Sequence, residues 1–261
     1  MITSTSNQQV KNLIQLQKKA KFRNEQDVFV VEGIKMYEEV PQERLVQTFV
    51  SESFYNKKKE LFPISGPRMP VVLSDQVFGA VSDTKTPQGV LCIVRQYHYK
   101  TDDLCKGVQK NPPLLIVLEH LQDPGNLGTI VRTAEGAGVT GILLSDDSVD
   151  IYNPKVIRST MGSVYRMPFV YTADLIDEIR KLQKTGFTFY AAHLQGAVSY
   201  ETGVYTGPCG FLIGNESRGL TGEAANAADV RIKIPMCGKV ESLNAGVASA
   251  ILMYEAARQR R

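Results

Sequence analysis

Three short stretches of the 261-residue chain combine polar side chains, glycines and apolar residues in patterns suited to chemistry on a bound ligand. The first, Asp123-Pro124-Gly125-Asn126-Leu127-Gly128, leads from a strand candidate into a helix that carries Arg132. At about 100° per residue, Arg132 points about 140° away from Leu127, off the apolar face formed by Leu127, Ile130, Val131 and Ala134. With the bare backbone of Gly128 one turn before it, this arginine suits a phosphate or a ribose; it equally suits a solvated surface, and Asn126 suits a plain helix N-cap. In the second stretch, Gly214-Asn215-Glu216-Ser217-Arg218-Gly219-Leu220, glycines near both ends allow close approach of a ligand. Glu216 between them is either a turn acid or a polar site group. The third stretch, Ile234 to Asn244 (IPMCGKVESLN), holds Ile, Pro, Met and Leu in a loop, as the wall of an apolar pocket does. Ser242 or Asn244 can cap the helix that follows.

The elements around these stretches place them at strand ends. Leu114–Leu118, Gly141–Leu144, Thr188–Ala192 and Gly210–Ile213 are short apolar runs that read as buried strands. They alternate with helices predicted at Asn126–Ala137, Asp174–Lys184 and Asn244–Arg260. This α/β order specifies a parallel sheet covered on both faces, with ligands at the carboxyl ends of its strands. The first half mixes an amphipathic helix beginning at Val10 with strand candidates at Val28–Val31, Leu45–Val50, Val71–Leu73 and Gly89–Val94, a small α/β sandwich. Between the halves, the polar stretch 98–112 ending at Pro112 reads as a linker, so the expected domains are 1–97 and 113–261. Gly136-Ala137-Gly138-Val139-Thr140-Gly141 matches G-x-G-x-x-G, but it ends a helix and enters a strand. A dinucleotide site needs the reverse, so a helix C-cap is the better reading.

Composition excludes several classes. No apolar run approaches the ~18 residues of a membrane helix, and the polar first ten residues carry no secretory signal, so a cytoplasmic protein is expected. Cys92, Cys105, Cys209 and Cys237 are dispersed without a C-x-x-C pair, which argues against a disulfide framework and against bound metal. The net charge of +3 is uneven: residues 1–110 hold 16 Lys and Arg against 12 Asp and Glu, and the remainder 14 against 15. Lys11, Lys18, Lys19, Lys21 and Arg23 fall in the first 24 residues with no acid among them, which suits either a polyanion partner or a solvated helix face.

Together the three stretches, N-x-G-x-x-x-R, G-N-E-x-x-G-L and I-P-M-x-G-x-x-x-S-L-N, resemble the SpoU (TrmH-like) branch of the SPOUT superfamily, in order and in spacing. These are S-adenosylmethionine-dependent RNA ribose 2′-O-methyltransferases. The resemblance covers about residues 113–261. The first half, with Phe29–Gly33 (FVVEG) and residues 82–90 (SDTKTPQGV), is similar to the substrate-binding domain of the same family, an L30e-like α/β RNA-binding fold.

The resemblance implies a SPOUT-type parallel sheet whose C-terminal chain forms a deep trefoil knot. It implies S-adenosylmethionine held by Gly214, Ile234 and Leu243, with Leu212, Met236 and Ala248 lining the pocket. It gives Asn126, Arg132, Glu216, Ser242 and Asn244 as the catalytic positions, with Glu216 and Asn126 orienting Arg132. Arginine is effectively always protonated, so phosphate binding and stabilisation of a developing alkoxide suit it better than proton removal. Ser217 stands where many relatives have glycine. The implied partners are RNA, ribosomal RNA ahead of tRNA, and a second copy of the chain joined through the catalytic domain. The alternatives are a tRNA methyltransferase, or an RNA-binding or ribosome assembly protein of this fold without catalysis.

Overall fold

The structure, a computed structural model, describes every residue except 64, 65, 67, 68, 108–110, 196 and 197. Two compact units emerge: Met1–Tyr97 together with Tyr152–Tyr165, and His98–Ile151 together with Arg166–Arg261.

In the first unit, strands β1 (Val28–Glu32), β2 (Leu45–Ser51), β3 (Val71–Leu73) and β4 (Val90–Arg95) form a sheet in the order β1-β4-β2-β3. β4 is antiparallel to both its neighbours, and β2 is parallel to β3. The helix Gln8–Lys18 buries Val10, Leu13 and Leu16 against Val28, Val30, Phe49 and Leu91, as its apolar spacing requires. The basic run divides in two here. The helix ends at Lys18 and a second, Ala20–Gln26, begins after the extended Lys19. Arg23 is 3% exposed, and its guanidinium donates to the carbonyls of Leu16 (2.8 Å) and Gln17 (3.3 Å). It satisfies the orphan carbonyls at the first helix's end, so it is a structural cap and not one of the cations offered to a polyanion.

In the second unit, β5 (Leu114–Leu118), β6 (Gly141–Ser145), β7 (Phe169–Thr172), β8 (Thr188–Ala192), β9 (Val198–Ser199), β10 (Cys209–Ile213) and β11 (Val230–Lys233) form one sheet in the order β7-β6-β5-β10-β8-β11-β9. Every pairing in it is parallel. β5 and β10 are buried at all five positions, which explains their unbroken apolar runs. The chain builds outward from β5 through β6 to β7, then returns on the other side of β5. The order therefore reverses where β5 meets β10, and ligands bind at such switch points.

Two expectations change here. Residues 98–112 belong to the second unit and carry a short helix, Thr101–Leu104, whose Leu104 is fully buried in the core beside Leu115, Val117 and Leu143. One apolar residue in a polar stretch produces no periodicity, and Val108, Gln109 and Lys110 lie outside the described residues. Tyr152–Tyr165, read from sequence as part of the second domain, groups with the first unit. The G-x-G-x-x-G stretch is structural. Gly138, at φ +77°, caps the helix Pro124–Ala137, and a Cβ on Gly141 would lie 2.6 Å from the Leu104 side chain.

Candidate active site

The site grows from the register of β5 and β10. Ile213 pairs with Leu118, and the Glu119 N–H donates to the Ile213 carbonyl at 2.9 Å. The loops after Leu118 and after Ile213 therefore leave the sheet side by side.

The first loop enters the helix Pro124–Ala137. Its N-cap is Asp123, whose side chain accepts from the Asn126 N–H at 2.8 Å, with Pro124 in the first turn. This corrects the reading of Asn126 as the cap. An Asp-Pro pair at a helix start is itself a capping signal, because Pro suits the first helical position. Freed from capping, the Asn126 side chain is nearly buried and turns to the second loop.

That loop is a tight turn. Asn215 and Gly219 exchange backbone hydrogen bonds of 3.1 and 2.9 Å, with Gly219 at φ +70°. A Cβ on Gly214 would lie 2.1 Å from the Gly219 carbonyl carbon and the Leu220 nitrogen, so only glycine lets the chain fold back so closely. The turn carries Glu216 back to the first loop. Its carboxylate accepts from the N–H groups of Gln122 (3.2 Å) and Asp123 (2.8 Å) and from Nδ2 of Asn126 (3.0 Å). Partial burial pushes the Glu216 pKa up, but the hydrogen bonds from Asn126, Asp123 and Gln122 outweigh it and hold the carboxyl below its ordinary value.

Asn126 passes the connection on. Its Oδ1 accepts from Nδ2 of Asn244 at 2.8 Å, and Asn244 Oδ1 caps the last helix, Ala245–Gln259, by accepting from the N–H groups of Gly246 and Val247. Glu216, Asn126 and Asn244 thus form one hydrogen-bonded chain across all three loops. Of the two candidate caps, Asn244 fills the role.

A cavity of about 720 Å³ opens beside this chain of bonds. Gly214, Ile234, Met236, Leu243 and Ala248 line it, as do Glu216 and Ser242. Leu212 does not: it is fully buried in the core next to Val117 and Leu143, and its neighbour Ile213 reaches the cavity instead. Successive strand residues face opposite sides of a sheet, so only one of the pair can do so. Sequence reasoning missed Ala192, His193 and Leu194, which complete the wall from the end of β8; the carboxyl end of the strand next to β10 was the available signal.

Arg132 stands apart. It is exposed, and it bonds to neither Glu216 nor Asn126. It lies six residues beyond Asn126 on the same helix, about 9 Å along the axis and about 120° around it. The expected orientation of Arg132 by these two residues is therefore absent from the single chain; they orient each other. Among the described residues no group of three or more His, Cys, Asp or Glu is placed to hold a metal ion.

Residues 113–254 match the SpoU rRNA Methylase family, and residues 7–92 match the MRM3-like substrate binding domain. The 23S rRNA (guanosine(2553)-2′-O)-methyltransferase RlmP of Bacillus subtilis is 30% identical over 255 residues, 97% of each chain. A crystal structure of an AdoMet-bound rRNA methyltransferase from Sinorhizobium meliloti is 31% identical, with a TM-score of 0.85 over 98% of this chain and 97% of that one. A crystal structure of an RNA 2′-O ribose methyltransferase is 28% identical, with a TM-score of 0.82 over 99% and 98%. With a family match over more than half its length, centred on the three bonded loops, this chain belongs to the SpoU rRNA methylase family.

Proposed function

We propose that this protein transfers a methyl group from S-adenosylmethionine to a ribose 2′-hydroxyl of ribosomal RNA. The observation that carries the reading is the Glu216–Asn126–Asn244 chain of hydrogen bonds at the lip of the 720 Å³ cavity. It joins the three loops whose residues carry the family resemblance. The family match and the rRNA specificity of the Bacillus relative support the substrate.

The cavity fits the donor. Its volume lies in the range of small-molecule sites, about 300–1,000 Å³. Ile234, Met236, Leu243 and Ala248 offer apolar contact to a base, and the carboxylates of Glu216 and Glu241 favour a cation. When bound, S-adenosylmethionine supplies an electrophilic methyl on a positively charged sulfur. The protein's part is to hold the ribose hydroxyl in line and to accommodate the charge its oxygen develops. Glu216, fixed by three donors, anchors the loop that positions the ribose. Ser242, on the cavity wall and exposed, is free to bond a ribose hydroxyl. Arg132, always charged, binds the adjacent RNA phosphate and stabilises the nascent alkoxide as the proton leaves to that phosphate or to water.

The first unit delivers the RNA, as its match to a substrate binding domain supports. The active form is a homodimer joined through the catalytic domain, a reading supported by the exposed Val247 and Tyr254 on the last helix. Work in the reducing cytoplasm fits four free cysteines. The test is transfer of labelled methyl from S-adenosylmethionine to an unmodified 23S rRNA transcript. Glu216→Gln should lose at least tenfold in rate. No labelled rRNA with folded wild-type protein overturns the proposal.

A further inference from the structure

The loop after β5 carries a histidine at positive φ for which the methyl-transfer reaction has no use. His120, the second residue after β5, has φ +54°, a left-handed conformation that few non-glycine residues adopt, histidine, asparagine and aspartate most often among them. Such strain persists only where the surroundings enforce it, and it concentrates at functional sites. Here the enforcement is extensive. The His120 N–H donates to Ser145 Oγ (2.8 Å), the Leu121 N–H to Ser148 Oγ (3.2 Å), and the Val149 N–H to the Leu121 carbonyl (2.8 Å). The His120 carbonyl accepts from Nδ2 of Asn215 at 2.8 Å, and the Gln122 side chain donates to the Asp147 carbonyl at 2.9 Å. The loops after β5, β6 and β10 are therefore clamped together around one residue.

The imidazole is held as firmly. Nδ1 is hydrogen-bonded to the Asp147 carboxylate, and Nε2 lies 3.9 Å from the buried Glu119 carboxylate, which is itself bound by the N–H and hydroxyl of Thr221. With Nδ1 engaged by Asp147, the Nε2 edge and the ring face are the parts of the imidazole left to meet a ligand. The His120 side chain is still 44% exposed. Two residues on, the Gln122 N–H bonds Glu216. The loop that carries His120 is therefore the loop that holds the carboxylate anchoring the ribose site.

We infer that His120, positioned by Asp147, forms the recognition site for the base of the nucleotide being methylated. The surroundings select a base and reject a phosphate. The Asp147 carboxylate bonds one ring nitrogen and the Glu119 carboxylate lies 3.9 Å from the other, so the ring sits between two acids and its surroundings disfavour a phosphate. An amino or imino N–H on a base edge is attracted, and RNA readers take unstacked bases by this edge and by stacking on histidine. This inference rests on the methyl-transfer reading above and adds the element that chooses the nucleotide.

The test uses the full-length protein and four unmodified 23S rRNA transcripts that differ only in the base at the methylated position. His120→Gly and His120→Asn both accept φ +54°, and Asp147→Asn keeps the shape of its side chain, so the fold is retained. S-adenosylmethionine affinity, read by calorimetry, should be unchanged in all three. Wild type should prefer one base. In His120→Gly the kcat/KM ratio between that base and the others should fall about tenfold, with a smaller fall in Asp147→Asn, while transfer to the disfavoured bases stays near the wild-type rate. Variants that keep the wild-type preference, or that lose rate equally on all four transcripts, overturn the assignment and leave the methyl-transfer reading intact. Wild-type protein that labels none of the four overturns both.

Discussion

Asn126→Asp is the sharpest probe of the bonded loops. The change is nearly isosteric, but it removes the Nδ2 donor that sits 3.0 Å from Glu216 Oε1 and puts a second carboxylate in its place. Two like charges at 3–4 Å repel by about 4–5 kcal/mol at an effective dielectric constant of ~20. Protonation limits that cost. Holding one carboxyl neutral at pH 7.5, about three units above a glutamate's unperturbed pKa, costs about 4 kcal/mol, at about 1.4 kcal/mol per unit. Because Glu216 is exposed to solvent, screening brings the expected destabilisation to about 2–3 kcal/mol at pH 7.5. The sign of the pH dependence then reverses between the two proteins. In wild type the folded pKa of Glu216 is depressed, so its stabilisation is present above the unfolded value near ~4.3 and is lost as pH falls through the folded value. In Asn126→Asp the folded pair retains a proton that the unfolded chain releases, so the deficit is largest above the raised native pKa and shrinks as pH falls toward ~4. Urea denaturation at pH 7.5 and pH 5.5 should show the gap between variant and wild type narrowing by about 0.5–1.3 kcal/mol at the lower pH. An equal gap at both values would refute the direct Glu216–Asn126 contact.

Arg132→Ala should reduce methyl transfer by about 10²–10³, the effect of losing a charge contact to the developing oxyanion. Melting temperature and S-adenosylmethionine affinity should stay near wild type, because the side chain is exposed; near-normal turnover would remove Arg132 from the reaction. Gly214→Ala forces a Cβ to within 2.1 Å of the Gly219–Leu220 backbone, so it should destabilise by about 1–3 kcal/mol or more and abolish cofactor binding in calorimetry. Replacing Lys18, Lys19 and Lys21 together by alanine should flatten the salt dependence of RNA binding with little change in melting temperature. Arg23→Ala should do the opposite, because its guanidinium is engaged by the Leu16 and Gln17 carbonyls.

What could be read from sequence follows from how local the determinants are. β5, buried at every position, and β8 appear as apolar runs whose bounds match the structure, because burial on both faces leaves no alternation to misread. β7 and β11 escaped because their exposed or half-buried positions carry Tyr, Arg and Lys. Leu104 shows the same limit in reverse: it sits in a polar stretch and becomes core only through contacts with the distant sheet residues Leu115, Val117 and Leu143. At the site, the loop residues were legible as types, and Gly214, Ile234, Met236, Leu243 and Ala248 do line one cavity. Their partners were not legible. Glu216 and Asn126 are 90 positions apart, and only the pairing of β10 with β5 places the two loops together. The roles of Asp123 as cap and of Leu212 as core likewise depend on local geometry, helix phase in one case and strand face in the other.

Ribose methylation is read directly by digesting 23S rRNA to nucleosides after incubation with the purified protein and S-adenosylmethionine bearing a heavy-isotope methyl group. Mass spectrometry should find the label on the ribose of one 2′-O-methylated nucleoside, at about one per transcript, with Glu216→Gln and Arg132→Ala giving far less. Label on a base, or none on RNA from a folded protein that binds the cofactor, would mean the protein is not a ribose 2′-O-methyltransferase of 23S rRNA.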